Sequence, residues 1–178
     1  MNRTLTTSIC LTMLLAFTST QAWDPKGKDD DIAKSQAAID ALLESDSTMQ
    51  RYFDAAAGYV VIPTVGKAGL GIGGARGKGL LYENGAPTAE VTMTQLSIGF
   101  QWGGQAYSEF VFFENSASLE HFKKGNYELG AQASAVAITA GASVDAGYES
   151  GVAIFTLAKG GLMYEAAVGG QKFKVKGL

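Results

Sequence analysis

Apolar residues change their spacing once along the chain. Ile32, Ala38, Ile39, Leu42 and Leu43 share one face of a helix over 32–43, and Met49, Tyr52, Phe53 and Ala56 one side of a shorter helix capped by Asp46 or Ser47. From Gly58 onward the period is two, that of a strand. A short strand over 59–62 ends at Pro63, a glycine-rich stretch runs on into 80–82, and Asn84-Gly85 marks a hairpin turn. Residues 90–100 alternate, Gly103-Gly104 turns the chain, and 106–113 return with Phe110, Val111, Phe112 and Phe113 apolar on both faces. Glu114-Asn115-Ser116 opens one short helix over 117–124, closed by Gly125. Further strands are expected at 128–140, 147–157, 161–168 and 171–175, with a tight hairpin at Gly160-Gly161. Few neighbouring strands have room between them for a helix, which excludes parallel βαβ units. The expected fold is α+β: an N-terminal helical pair packed on a strongly curved, mainly antiparallel, barrel-like sheet of seven or eight strands with one inserted short helix.

The stretch from Gly69 to Gly79 contains G-x-G-x-x-G at Gly69, Gly71 and Gly74. A dinucleotide site needs a helix to start at those glycines, so that its N-terminus receives the pyrophosphate. Here β-type sequence and a hairpin turn follow instead, so no nucleotide is expected. Alternation is more informative. Gly69, Gly71, Gly73, Ala75, Gly77 and Gly79 leave one strand face almost bare, so that backbone, a helix or a ligand such as an acyl chain comes close there. Arg76 and Lys78 project from the opposite face, roughly 7 Å apart by strand rise. With Lys67 at the start of the stretch they are candidates for gripping phosphate head groups. A second basic row, Lys172, Lys174 and Lys176, suits either the same role or the protection of an edge strand.

Composition narrows the function classes. The 178 residues make one ordinary domain with a formal net charge of −3. From Trp23 to Ala57 four Lys/Arg face eight Asp/Glu, and from Gly58 onward there are nine of each, so nucleic acid is not an expected partner. Residues 1–22 read as a secretory signal with cleavage after Ala22, followed by a solvated linker over 23–31 and a single domain over 32–178. The one cysteine, Cys10, falls in the signal, leaving an exported chain without disulfides, periplasmic or secreted. His121 is the one histidine. No nucleophile elbow or metal loop stands out, and the carboxylates Glu109, Glu114 and Glu120, or Asp145 and Glu149, are not paired by spacing. No enzyme activity, metal or cofactor is expected.

The segments GYVVIPTVGKAGLGIGGARGKGLLY, LSIGFQWGGQAYSEFVFFEN, LEHFKKGNYELGAQASAVA and AKGGLMYEAAVGGQKFK stand in that order, and together they resemble the SYLF domain over roughly 32–174. The resemblance implies a lipid-binding module that engages phospholipid or phosphoinositide head groups through Lys67, Arg76 and Lys78, with the helix over 32–43 in the place of an amphipathic membrane element. That helix carries Lys34 but also Asp40 and Glu44 and follows three aspartates, so its polar face is not basic. Some fungal members bind actin, a partner that export of this chain makes unlikely. Peripheral lipid binding in the envelope and a non-enzymatic structural or protein-interaction role are the two functions that follow.

Overall fold

The computed structural model describes residues 25–70, 72–98, 105–130, 133–139, 146–159 and 166–178. The expected signal segment with Cys10, Gly71, the turns at 103–104 and 160–161, and Asp145 lie outside the described residues. Helix α1 spans Pro25–Ser45, a 3₁₀ turn Ser47–Met49, and helix α2 Gln50–Ala55. Strands follow at Gly58–Leu70 (β1), Ile72–Glu83 (β2), Ala86–Ile98 (β3) and Gln105–Phe113 (β4), then helix α3 at Ser116–Lys123. Tyr127–Glu128 (β5), Ser134–Ala137 (β6), Val152–Ala158 (β7), Ala166–Ala167 (β8) and Lys172–Gly177 (β9) complete the chain. The fold class is α+β, as the alternation implies.

Helix α1 starts seven residues before Ile32 and takes in residues 25–31 of the expected linker. Proline is favoured at a first helical position, where its missing N–H costs no bond. Asp46 accepts from the Thr48 backbone N–H at 3.0 Å and caps the 3₁₀ turn. Asn115 does the same for Ser118 at the start of α3. Asn84 and Gly85 both hold positive φ, 51° and 76°, as a type I′ hairpin requires.

One sheet holds the strands in the order β5-β9-β3-β2-β1-β4-β7-β6-β8. Its named pairings are antiparallel except β6 with β7, where Val136 lies opposite Phe155 and Ala137 opposite Thr156. The expected strand over 128–140 is broken into β5 and β6, and residues 147–151 precede β7 as irregular chain closed by a turn at 150–151 rather than forming its first half.

Pro63 does not end a strand as the sequence suggests. Strand β1 runs through it to Leu70 by way of a bulge: Val61 pairs with Leu80 and Thr64 with Lys78, leaving Ile62 and Pro63 opposite Gly79 alone. Pro63 has no N–H to lose from the ladder, and its carbonyl accepts the Ser108 hydroxyl at 2.8 Å. Bulges bend and twist a sheet. The bend is measurable in a contact: Gln171, at the root of β9, donates to Glu109 of β4 at 2.9 Å. Those strands are four places apart, roughly 19 Å on a flat sheet, so the sheet curls and this side is concave.

Both faces are packed. On the concave side α3 sends Leu119 and Phe122 among Val60, Ile62, Val111, Phe113 and Phe173. On the convex side α1 and α2 send Ala38, Ile39, Leu42 and Tyr52 onto Val61, Leu80, Tyr82, Phe110, Phe112 and Phe155. Each fully buried large side chain among them contributes about 1.5–3 kcal/mol. The Tyr52 hydroxyl donates to the Ala146 carbonyl at 2.6 Å, tying α2 to the segment before β7. Helices α1 and α2 cover one part of the convex face, including Leu80 and Tyr82 of β2, and the part made by the Arg76–Lys78 end of β2 with β3 and β9 carries exposed side chains.

Candidate functional site

Strand register decides what the open half of the convex face presents. Arg76 of β2 lies opposite Thr94 of β3, and Thr94 opposite Lys172 of β9; Lys78 likewise lies opposite Thr92, and Thr92 opposite Lys174. Directly opposed residues project to the same side of a sheet. The two basic rows read separately in the sequence are therefore one field, two strands or roughly 10 Å across and roughly 7 Å along the strands, with threonine hydroxyls between the cations. All four cations are exposed.

Acidic neighbours are few. Lys172 pairs with Glu128 at 3.4 Å, both side chains being more than half exposed. Among the described residues no carboxylate lies within ion-pair distance of Arg76, Lys78, Lys174 or Lys176. Glu90 separates Lys176 from Leu80 in the next row. Lys159 reaches the same side and donates to the Thr64 hydroxyl at 2.8 Å, and Thr64 lies opposite Lys78. A cleft of about 300 Å³ between α1 and the sheet is lined by Asp31, Lys34, Ser35, Thr64 and Lys78, with Lys34 ion-paired to Asp30. Leu96 lies two residues beyond Thr94 on the same side of β3 and is 86 % exposed. A large apolar side chain left in solvent beside a cation field suits contact with an interface that is charged outside and apolar within.

Lys67 does not join this field. It pairs with Ala75, whose side chain is in the concave core, so Lys67 projects to the concave side while Arg76 and Lys78 project to the convex one. Partial burial there pushes its ammonium pKa down. Beyond the four-cation field, Lys176 continues the β9 row, and among the described residues Lys174 and Lys176 have no partner on the outer side of the strand, where β5 pairs Tyr127 and Glu128 with Phe173 and Lys172. Edge protection therefore applies to those two lysines as well.

The bare glycine face points to the concave side, and at its described end it is filled. A Cβ on Gly79 would lie 2.0 Å from the Val61 carbonyl oxygen and 2.8 Å from Ile62 Cα; one on Gly77 would lie 2.5 Å from Ile62 Cγ2. The bulged strand presses into the space that side chains would occupy. An acyl chain therefore has no room at Gly77 and Gly79. Gly69 lies opposite Gly73 across the hairpin, so the glycine stretch spans two strands rather than one. A cleft of about 520 Å³ opens elsewhere, between the 127–136 segment and β7, lined by Leu129, Ala133, Val136, Val152, Ile154 and Phe155 with Ser134 and Glu149 at its polar parts.

Among the carboxylates, Glu114, Glu120 and Glu149 are exposed and Glu120 pairs with Lys123 at 2.9 Å. Lys123 also meets Glu83 at 3.1 Å. His121 is exposed, its ring edge-on to Tyr127 at 5.5 Å. Among the described carboxylates Glu109 alone is wholly buried, on the concave side with Tyr107, Thr156 and Gln171. Its parity with Tyr107 and Val111 was the available signal for an inward carboxylate. Among the described residues no group of three His, Cys, Asp or Glu could hold a metal ion, and no helix is long and apolar enough to cross a membrane.

No curated protein matches the chain. Residues 94–177, somewhat less than half of it, match a family model described as Ysc84, Las17-binding protein actin regulator. The match takes in Leu96, Glu109, Gln171 and the β9 lysines, while β2 with Arg76 and Lys78 precedes it.

Proposed function

We propose, from the premise that the chain belongs to the Ysc84 (SYLF) family through residues 94–177, that this protein is a non-enzymatic module that docks on anionic phospholipid surfaces by its convex face. The observation that carries this is the four-cation field of Arg76, Lys78, Lys172 and Lys174 with Leu96 exposed beside it. Each Lys or Arg held near an anionic membrane contributes about 1 kcal/mol. Four contribute roughly 4 kcal/mol, on the order of a thousandfold in partition. Arg76 supplies a planar fork for phosphate oxygens and the lysines supply point charges. The threonine hydroxyls between them add neutral donors. With residues 1–22 acting as an export signal, the surface met is one in the envelope or outside the cell.

Vesicle co-sedimentation tests the face. Binding to anionic vesicles should exceed that to zwitterionic ones, weaken as salt screens exposed charge, and fall by roughly tenfold or more in Arg76→Glu/Lys78→Glu with the fold intact. Unchanged sedimentation of that variant sinks the assignment. The family's description as a Las17-binding protein favours a second function, a protein-interaction domain. It predicts indifference to vesicles of any composition.

A further inference from the structure

The concave interior holds a polar cluster that the docking face does not use. Glu109 of β4 is fully buried, and so are Gln171, which precedes β9, and Thr156 of β7, which lies opposite Glu109 in register. Gln171 is fixed by its backbone: its N–H donates to the Val168 carbonyl at 3.1 Å and its carbonyl accepts the Leu129 N–H at 2.9 Å. Its side-chain amide donates Nε2–H to Glu109 Oε2 at 2.9 Å. The remaining oxygens of that pair, Glu109 Oε1 and Gln171 Oε1, both lack a hydrogen-bond partner, as does Thr156 Oγ1.

Two acceptors left over on two groups already joined by one bond point to a missing hydrogen. An ionised carboxylate has none to give, whereas a carboxylic acid has one O–H. Acid and primary amide are complementary at two points: the amide N–H meets the acid carbonyl, and the acid O–H meets the amide oxygen. One of these bonds is already present. We propose that Glu109 binds a proton on Oε1 and donates it to Gln171 Oε1, closing a two-bond clasp between β4 and the root of β9.

The surroundings support a neutral acid. Burial pushes the Glu109 carboxyl up to about 7, although the polar groups of Gln171 and Tyr107 beside it favour its charged form. Among the described residues, its own strand presents Tyr107, β1 presents Ile62 and farther along Val65 and Lys67, and β7 presents Thr156. Strand β3 presents Gln95, whose amide donates to the Gly169 carbonyl at 3.0 Å. The nearest of these titratable groups is Tyr107, itself pushed up by burial and by Glu109. The clasp joins strands four places apart, so its state bears on how firmly β9 is held. The inference does not depend on lipid binding.

Hydrogen exchange over residues 172–177 tests the clasp in the full chain. After correction for intrinsic chemistry, wild-type protection should fall about tenfold between about pH 6 and about pH 8, because the open form titrates as an ordinary carboxyl while the closed form holds its proton. Glu109→Gln keeps both bonds as an amide pair and cannot titrate, so its protection should stay level across that range. Gln171→Leu should be weakly protected at both pH values, and if it does not fold the comparison with Glu109→Gln still decides. An isotope-edited infrared band of a protonated carboxyl should persist up to about pH 7 in the wild type and be absent in Glu109→Gln. Equal pH responses in wild type and Glu109→Gln, or no acid band above about pH 5.5, where ordinary carboxyls are already ionised, overturn the proposal.

Discussion

Adding one methyl group to Gly79 should cost far more than adding one to Gly74, five residues earlier on the same strand. At Gly79 the new Cβ would sit 2.0 Å from the Val61 carbonyl oxygen and 2.8 Å from Ile62 Cα, both backbone atoms of the bulged segment. Neither can turn away as a side chain does. The sheet must open at the bulge, where Ile62 and Pro63 face Gly79 and where Ser108 ties the Pro63 carbonyl down. Overpacking of this kind costs about 1–3 kcal/mol, and a backbone collision belongs at the upper end. At Gly74 the nearest atom to a Cβ is the Gln95 carbonyl oxygen at 3.5 Å, an ordinary contact. There alanine removes the entropic cost of a strand glycine and should be neutral or stabilising by about 0.5–1 kcal/mol. Thermal melts by circular dichroism should therefore place Gly79→Ala about 5–10 °C below the parent and Gly74→Ala level with it or above, at about 2–4 °C per kcal/mol for a chain of this size. Equal melting of the two variants would refute close packing at the bulge and return the glycine face to the status of an open groove.

Two further outcomes follow. Leu96 is 86 % exposed, so Leu96→Ser should change stability by less than about 0.5 kcal/mol yet reduce binding to anionic vesicles; loss of the fold, or undiminished sedimentation, would remove it from the docking face. Glu109 gives the protein a pH dependence of defined sign. Its folded carboxyl lies near 7 against an ordinary 4.5, so the folded state holds the proton more tightly and stability falls as pH rises between those values, by about 3 kcal/mol in all. Glu109→Gln should abolish that fall and melt on the order of 10 °C above wild type near pH 8, while the two converge near pH 5; parallel pH curves would contradict the burial argument.

Local chemistry made some of the fold readable. The period change at Gly58, the Asn84-Gly85 hairpin and the Asn115 cap depend on neighbours in sequence, and each is found where the pattern puts it. The face shared by Arg76 and Lys78 follows from alternation alone. Pro63 misleads because its lost donor is harmless at a bulge and its carbonyl partner, Ser108, lies 45 residues away. Grouping Lys67 with Arg76 and Lys78 follows nearness along the chain, but the antiparallel pairing of β1 with β2 sets it opposite Ala75. The union of the two basic rows required knowing that β3 is the neighbour of both β2 and β9, which no local pattern contains. Alternation sets Glu109 on one face with Tyr107 and Val111, but no local pattern shows its partner. A carboxylate in a strand becomes a buried one only when the sheet curls far enough for Gln171 to reach it.

The bulge at Ile62-Pro63 is thus connected to both sides of the molecule. By bending β1 it helps bring the root of β9 across the concave side to Glu109, and β9 alternates between the two faces. Gln171 and Phe173 point inward and are fully buried, while Lys172, Lys174 and Lys176 point outward and are exposed. Among the described residues this strand pairs over most of its length only with β3, since β5 supplies just two residues on its other edge. Ladder bonds on one side hold a strand weakly, and the side chains that anchor β9 from within are Phe173, packed against Phe122 with ring centroids 5.5 Å apart, and the residue that bonds Glu109. Lys172 and Lys174 complete the cation field only while β9 stays in register with β3. If the acid–amide clasp is what fixes its root, proton release inside the sheet loosens half of the cation field outside it. Vesicle binding would then weaken above neutral pH in the wild type and not in Glu109→Gln, which keeps the same lysines and arginine in the field.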